Sequence, residues 1–354
     1  MLSDAAFARE YRQIHGAPPM LGFLYEELDV PVNLPFPEKE DYHWAPHFVS
    51  TATYRPPTAC RDRRYWHVLD SRHGRVLFYT PRRKTATFVV CDLVIGKRWE
   101  VDANPKYDGI LRWYWDDEER WLQLARCNAA VFCAKDRCDH LDCHGAPFRI
   151  ALVGSDDVGS IASATVYSSG TGQWSGMIEV QTPCYIYGTD RQSALVGNKV
   201  YVPCVDSDSI VEYNMDEQKL TLIDVPDTNH PEYIRLMGVE DDMLLFASVK
   251  KPTLYLWSMD VGPGGAQGWA RHRTIDLEPS LTLAVLSNCG GVLAVGFAEG
   301  VNVIFLGTYN GLYPLDLNSG QGKKVQVHTR RWIERAIPYM SYYTGACGKL
   351  PTSN

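Results

Sequence analysis

Short apolar runs separated by polar or glycine-containing turns recur along most of the chain. One such segment runs from Phe88 to Val101, a second from Ile210 to Val225 and a third from Gly311 to Val327. Apolar positions that alternate with polar ones over about 4–8 residues are typical of half-buried strands. Repeats of roughly 40–50 residues built from short strands are typical of propellers. The pattern therefore predicts an all-β fold in which strand-built blades repeat around a ring.

The spacing of equivalent positions bears on the number of blades. Five landmarks, each near a turn that follows a strand-like run, are separated by 76, 46, 44 and 58 residues: Asp92, Ser168, Asn214, Ser258 and Asp316. The first interval is too long for one blade and holds either an extra blade or an insertion. We predict a β-propeller of about six four-stranded blades, with five to seven allowed by the spacing, preceded by one short helix.

A helical pattern precedes the strands. It covers residues 3–15, where Phe7, Tyr11 and Ile14 share one face. This face must bury against either the flank of the propeller or a neighbouring helix that is missing here. The strand-like run Met20–Tyr25 follows. We expect a strand near residues 339–343 to close the ring against this run, because closure removes exposed sheet edges.

Composition and charge exclude some partners. The net charge of −7 gives no electrostatic footprint for nucleic acid. No run of eighteen apolar residues is present, so we expect no membrane span. The first residues lack the basic start and apolar core of a signal peptide, which predicts a cytoplasmic or nuclear protein.

Ten cysteines in an intracellular chain are expected to be reduced thiols. Cys91, Cys184 and Cys204 lie in apolar runs, where cysteine behaves as a small hydrophobe. The segment from Cys133 to His144 differs, because it holds three cysteines and two histidines. Tetrahedral zinc takes such ligands, but the spacing matches no paired Cys-x2-Cys knuckle. The sequence favours an ordinary inter-strand loop, and we expect no metal and no cofactor.

An aromatic segment is the one candidate partner-binding patch. The runs Ile110–Trp115 and Arg120–Leu124 flank four consecutive acids. They form either a hairpin whose rings pair across strands or one amphipathic helix. The plainer interpretation places the tryptophans in a blade core. The sharper one is an aromatic patch with an acidic rim that captures a partner through Trp113, Trp115 and Trp121.

Motifs that carry catalytic chemistry are missing. The chain has neither a Gly-x4-Gly-Lys-Ser/Thr phosphate loop nor a Gly-x-Ser-x-Gly nucleophile elbow. The histidines His67, His73, His140 and His144 have no partner carboxylate at a telling spacing. His73 precedes Gly74 and a strand, so we predict that it is a turn residue that bonds to the backbone. We therefore expect no catalytic residue and no enzyme.

Several segments of the chain resemble sequences of one protein family. The run Ser3–Arg12, followed by Pro18–Phe23, looks like the end of an F-box running into its associated domain. Further phrases resemble a large group of plant F-box proteins: Leu69–Leu77, Cys127–Cys133, Asp142–Arg149, Val166–Trp174, Leu195–Asn198 and Gly296–Leu306. The resemblance covers the chain from Ser3 to about Thr344, and its motifs are structural, so they identify no substrate.

The resemblance implies a kelch-like propeller that recognises a protein target for a cullin-based ubiquitin ligase. Residues 1–17 would then be the remnant of the last F-box helix, and residues 18–354 the propeller. The other F-box helices expected before Ser3 are missing, so no residue can be assigned to docking on the ligase linker subunit. The alternative is a stand-alone scaffold or regulatory binding protein, and a third hypothesis is a zinc-dependent enzyme built on the Cys133–His144 loop.

Overall fold

The computed structural model describes most of the predicted blades. The residues that it describes are 5–15, 17–27, 46–51, 54–56, 66–80, 87–103, 127–135, 138–140, 143–156, 159–186, 192–204, 209–226, 235–240, 243–261, 267–282, 285–286, 291–327 and 333–342.

Strands dominate these segments. The chain begins with α1 (Ala5–His15), β1 (Met20–Glu27), β2 (His47–Ser50), β3 (His67–Arg72), β4 (Arg75–Thr80), β5 (Thr87–Asp92), β6 (Lys97–Asp102) and β7 (Cys127–Cys133). It continues with β8 (Phe148–Ser155), β9 (Ile161–Ser168), β10 (Gln173–Trp174), β11 (Ile178–Gln181), β12 (Ala194–Val196), β13 (Lys199–Pro203), β14 (Ser209–Asn214) and β15 (Lys219–Asp224). The last are β16 (Arg235–Glu240), β17 (Met243–Lys250), β18 (Thr253–Val261), β19 (Gln267–Asp276), β20 (Val292–Ala298), β21 (Val303–Thr308), β22 (Gly311–Asp316) and β23 (Ile333–Met340).

These strands form the six blades of a β-propeller, which confirms the predicted fold. Blade 1 holds β3–β6, blade 3 holds β12–β15 and blade 4 holds β16–β19, each as four antiparallel strands. Blade 2 holds β7–β11, where β10 and β11 both pair with β9. In the described residues, blade 5 holds β20–β22 and blade 6 holds β1, β2 and β23.

The core of the ring lies between the blades. Each pair of neighbouring blades buries one apolar cluster, because successive side chains of a strand point to opposite faces of its sheet. In β1, Leu24 packs toward blade 1, while Phe23 and Tyr25 pack toward blade 5. Each blade is thus stabilised by both of its neighbours, and a blade removed from the ring would expose two apolar faces.

Blade 6 closes the ring with strands from both ends of the sequence. β23 pairs antiparallel with β1, so that Met340 lies opposite Met20 and Ala336 lies opposite Tyr25. This pairing confirms the predicted closure, although β23 begins earlier than the run at residues 339–343 that suggested it. The closing strand is also the inner strand of blade 6, next to β20 and β3.

A buried polar clamp joins the closing blade to blade 1. The carboxylate of Glu26 in β1 accepts a hydrogen bond from the backbone N–H of Val68 at 2.5 Å. The guanidinium of Arg335 in β23, which is 1% exposed, donates to the carbonyl oxygen of Val68. Burial, followed by the positive charge of Arg335, lowers the pKa of the neighbouring His67 to about 4. His67 is therefore neutral at pH 7 and adds no second charge to this junction.

The structure decides between the two interpretations of the long interval after Asp92. The cluster between blades 1 and 2 packs Leu69 and Phe88 directly against Cys127 and Ile150, so that no blade lies between them. The interval therefore holds an insertion together with β7, the inner strand of blade 2. The insertion, residues 104–126, lies outside the described residues.

Of the predicted apolar stripe of α1, Tyr11 packs against Tyr342 of the propeller, whereas Ile14 is 69% exposed.

One sequence expectation about side chains is wrong. Cys184 and Cys204 are not separate thiols but form a disulfide, with their Cα atoms 5.6 Å apart. This bond joins the end of blade 2 to the end of β13 in blade 3, two strand ends that are adjacent only in the folded ring.

No described helix combines the length and apolar character that crossing a bilayer would require.

Gly296 tests the closure of the ring. A Cβ at this position would lie 1.7 Å from the backbone carbonyl oxygen of Ala336 in the closing strand. We expect Gly296→Ala to lower the free energy of unfolding by about 1–3 kcal/mol or more, since the backbone of β23 must shift. Chemical denaturation measures this change.

Gly268→Ala is the matched control for that variant. Gly268 also lies in a strand, but a Cβ there meets nothing within 4 Å. We expect its free energy of unfolding to stay within about 0.5 kcal/mol of the wild-type value. Equal stability of the two variants would contradict the close packing of β20 on β23.

Candidate recognition pocket

A pocket opens at the centre of the ring where the inner strands end. Its volume is about 400 Å³, and its lining includes the turns His73–Gly74 of blade 1 and Glu299–Gly300 of blade 5. Leu195 of blade 3 and Met237 of blade 4 contribute apolar surface, and Met340 of blade 6 completes the ring. We call the side of the propeller that carries this pocket the pocket face. Turns between second and third strands, such as Tyr309–Asn310, lie on the opposite face.

Arg72 joins three blades at the floor of the pocket. Its Nε lies 3.2 Å from Asp70 Oδ2 in its own strand, and its Nη1 lies 3.2 Å from Glu299 Oε2 in blade 5. Its Nη2 donates to the carbonyl oxygen of Ser193, just before blade 3, at 3.2 Å. A planar guanidinium can serve three acceptors at once, so one side chain fixes the distance between blades that lie across the pocket.

Asp70 is the buried partner of this arginine. Its Oδ2 accepts a hydrogen bond from the backbone N–H of Val131 in blade 2 at 2.9 Å, and the residue has no exposed surface. Burial raises the pKa of Asp70 above its usual value, although the charge of Arg72 and the N–H of Val131 act in the opposite direction. Ionised Asp70 therefore depends on Arg72 for compensation.

His73 and His140 stack at the edge of the pocket. Their ring centroids are 3.9 Å apart, and the planes differ by 6°. His73 adopts a φ of 51° in the turn before Gly74, and its Nδ1 accepts a hydrogen bond from the backbone N–H of Cys133 at 3.2 Å. These contacts confirm the prediction that His73 is a turn residue. Burial, followed by the facing His140, lowers the pKa of His73 to about 3, so the ring is neutral and able to accept.

Three thiols lie together beside the His140 ring. The Sγ atoms of Cys133, Cys138 and Cys143 and a ring nitrogen of His140 are all within 4.8 Å of one another. Burial, followed by the neighbouring thiol of Cys133, raises the pKa of Cys143. Burial, followed by the charge of Arg12, lowers the pKa of His140. The structure thus gathers four of the five ligand-type side chains that the sequence singled out.

The fifth, His144, bonds elsewhere. Its Nδ1 lies 2.7 Å from Asp92 Oδ2, and its Nε2 lies 3.4 Å from Ser341 Oγ. The sequence spacing pointed to no carboxylate for this histidine, and the fold brings one from 52 residues away. A serine, a histidine and a carboxylate in this order can form a nucleophile. Here Ser341 is only 5% exposed, and its backbone N–H donates to Pro19 O at 3.3 Å.

The other oxygen of the Asp92 carboxylate holds the backbone of a turn. Asp92 Oδ1 accepts hydrogen bonds from the backbone N–H groups of Val94 and Ile95 at 3.1 and 3.2 Å, and it thereby holds the turn after β5. Both oxygens are thus used to fix backbone and loop positions. We interpret Asp92, His144 and Ser341 as a link that holds blades 1, 2 and 6 together beside the pocket.

The helix α1 lies at the same edge. The ring of Tyr11 meets that of Tyr342 edge-on, with centroids 6.0 Å apart. The guanidinium of Arg12 donates to the carbonyl oxygen of Asp139, which lies between two residues of the thiol cluster. Arg12 also lines the pocket, with Ala17 and Pro18. The helix is therefore part of the pocket wall.

The structure does not describe the partner-binding residues suggested by the sequence. Trp113, Trp115 and Trp121 lie outside the described residues, and their assignment stays a prediction. The sequence did not indicate a pocket, although His73, His140 and His144 stand out individually, because the contacts that form it join residues of different repeats. A signal was present in the chain, since Asp70, Arg72 and His73 stand together at the end of one predicted strand, where the alternation of apolar and polar residues breaks.

Comparison with protein families gives one match over most of the chain. The family described as "F-box protein AT5G49610-like, beta-propeller" matches residues 67–345. A comparison with curated proteins gave no match.

Solved structures show only distant likeness. A chain from a structural study of two prolyl endopeptidases is 11% identical with a TM-score of 0.38, over 92% of this chain and 51% of that one. An exo-β-1,3-galactanase from Phanerochaete chrysosporium is 7% identical with a TM-score of 0.37, over 74% and 62%. The extracellular domain of a two-component system from B. thetaiotaomicron is 14% identical with a TM-score of 0.35, over 74% and 27%. This chain thus spans less than two thirds of each of them.

Arg72→Met tests the pocket floor. The variant leaves the Asp70 carboxylate buried without its cation, and we expect a loss of about 3–5 kcal/mol in the free energy of unfolding at pH 7. The folded-state pKa of Asp70 is raised, so its ionisation destabilises the fold as the pH rises above the unfolded value of about 3.9. The deficit should therefore shrink as the pH is lowered toward that value, which urea denaturation at several pH values measures.

Two further variants control this measurement. The double variant Asp70→Asn/Arg72→Met should recover most of the lost stability, because it removes both charges of this pair. Arg98→Met removes one partner of an exposed ion pair with Glu100 and should cost less than about 1 kcal/mol. Failure of the double variant to recover would show that Arg72 acts through packing and not through charge.

Proposed function

The chain belongs to the β-propeller family of F-box proteins, and we propose that its propeller is the target-recognition domain of a substrate adaptor. The family match over residues 67–345 is the observation that carries this proposal. F-box proteins resembling this chain couple a bound protein target to a cullin-based ubiquitin ligase. In this role the propeller binds a protein and catalyses no reaction itself.

The pocket face is the surface that best fits target binding. Turns such as His73–Gly74 and Glu299–Gly300 are held by the blades, and binding residues commonly lie on loops that a rigid scaffold positions. The cavity of about 400 Å³ falls within the range of small-molecule pockets. It is large enough to admit an anchoring side chain from a protein whose remaining contacts spread over the surrounding turns.

The chemistry of the lining favours a target segment that is both apolar and polar. Leu195 and Phe297 offer apolar surface, whereas Arg12, Arg72 and Glu299 bring charge to the same cavity. The side chain of Glu299 is 41% exposed, so its carboxylate is accessible to a partner although it pairs with Arg72. A partner that places a donor near Glu299 and an apolar group against Leu195 would match both parts of the wall.

Affinity purification of the full chain from its native cell type, followed by mass spectrometry, tests this proposal. Glu299→Lys reverses the charge at the pocket and should reduce recovery of the target at least tenfold. Tyr309→Ser changes a side chain that is 42% exposed on the opposite face, and it should recover the target like the wild type. Thermal unfolding of both variants checks that the fold is retained.

The pattern of co-purified proteins separates the possible roles. Recovery of a cullin and its linker subunit with the target supports the adaptor role. A reproducible target without either ligase component supports the stand-alone binding protein instead. If Tyr309→Ser abolishes binding and Glu299→Lys does not, the target occupies the opposite face, and the assignment of the pocket is wrong.

A further inference from the structure

Four side chains between β7 and β8 have the arrangement of a tetrahedral metal site. The Sγ atoms of Cys138 and Cys143 are 3.6 Å apart, and Cys143 Sγ lies 3.4 Å from His140 Nδ1. Cys133 completes the set, with no pair of ligand atoms more than 4.8 Å apart. A tetrahedron with Zn–S bonds of about 2.3 Å has edges of about 3.8 Å. The four atoms therefore need to move by little more than one ångström to surround an ion.

The donor set selects the metal. Three thiolates and one imidazole are soft and borderline ligands, which favour zinc over calcium or magnesium. All four positions of a tetrahedron are supplied by the protein, as in structural zinc sites of the Cys3His type. We propose that Cys133, Cys138, His140 and Cys143 bind a structural zinc ion, which the sequence spacing alone did not favour.

The other described cysteines lie in environments that differ from that of the proposed metal ligands. Cys91 and Cys127 are fully buried in apolar clusters between blades, where each serves as a small hydrophobe. Cys184 and Cys204 are bonded as a disulfide. Among the described cysteines, only Cys133, Cys138 and Cys143 lie close to one another and to a histidine without forming a disulfide.

Contacts around the cluster hold its ligands in place. The backbone N–H of Lys135 donates to Cys133 Sγ at 3.4 Å, and the ring of His73 stacks on the ring of His140. His140 has a φ of 58°, a left-handed conformation that is rare outside glycine and that turns its ring toward the sulfurs. Partners of this kind commonly orient metal ligands.

Positively charged side chains lie beside the proposed zinc site and would compensate its net negative charge. Three thiolates, a neutral imidazole and Zn²⁺ carry a net charge of −1. Arg75 is fully buried beside the loop, where it donates to the carbonyl oxygens of Cys143 and Ala146, the latter at 2.8 Å. Arg12 contacts the carbonyl of Asp139 within the loop. Two cations thus lie next to the place where the negative charge would be.

Zinc at this position would fix one wall of the pocket. His140 and Cys143 line the pocket, and Asp139 receives Arg12 from α1. An ion that holds Cys138, His140 and Cys143 in one geometry also holds the carbonyl on which the helix docks. The site therefore couples metal binding to the position of α1 on the propeller.

Metal analysis of the full chain, produced with zinc and purified without chelator, tests the assignment. We expect one zinc per chain in the wild type, and cobalt(II) exchanged into the site should give the intense visible bands of tetrahedral thiolate coordination. Cys138→Ala and His140→Ala should each reduce the zinc content at least fivefold. Cys138 is only half-buried, so its truncation should leave the propeller folded.

Cys127→Ala is the control, because it also removes a buried thiol but lies outside the cluster. It should retain one zinc per chain. A wild-type protein that binds neither zinc nor cobalt(II) would overturn the proposal, as would equal zinc content in Cys138→Ala and the wild type. A Cys138–Cys143 disulfide in the freshly purified protein, identified by mass spectrometry without reductant, would overturn it as well.

Hydrogen exchange tests the coupling to the helix. Removal of zinc by a chelator should speed amide exchange several-fold in α1 and in the loop around Asp139, while exchange in β13 and β14 stays unchanged. Faster exchange in the loop alone would refute the coupling and leave the metal assignment intact. These outcomes do not depend on target binding, so they are distinct from the failure of the proposed function.

Discussion

The antiparallel pairing of β1 with β23 is the constraint on which the rest of the structure depends. A propeller has no central hydrophobic core; its apolar surface is buried between blades, so every blade needs two neighbours. Blade 6 exists only when strands separated by most of the sequence meet. The contacts of Glu26 and Arg335 with Val68 then tie this blade to blade 1. Closure of the ring therefore requires strands from both ends of the described chain.

The shape of the pocket depends on this closure of the ring. Arg72 spans the centre of the ring because blades 1, 3 and 5 are held at fixed distances by their neighbours. The same closure brings Ser341 to His144 and Tyr342 to Tyr11. Arg72 thus connects blades that are not neighbours in the ring, and this makes the floor of the pocket sensitive to small shifts of the ring.

The sequence predicted features that depend on local patterns. Alternating apolar residues located the blades, the helical spacing located α1, and the His73–Gly74 pair indicated a turn. Contacts between repeats were not accessible, because nothing in the chain marks Asp92 as the partner of a histidine 52 residues away. The Cys184–Cys204 bond was missed for the same reason. The loop thiols were noticed, but their spacing fits no common zinc motif, and only the folded loop shows that they converge.

Antiparallel pairing in blade 6 also determines where the chain enters and leaves the ring. Since Met20 lies opposite Met340, the chain enters β1 and leaves β23 on the same side, next to the pocket. A group attached just before β1 or just after β23 would share a small volume with any ligand of the pocket, at a high effective concentration. A tag in the Tyr309–Asn310 turn would avoid this crowding, whereas a group tethered just before β1 would lie beside the pocket.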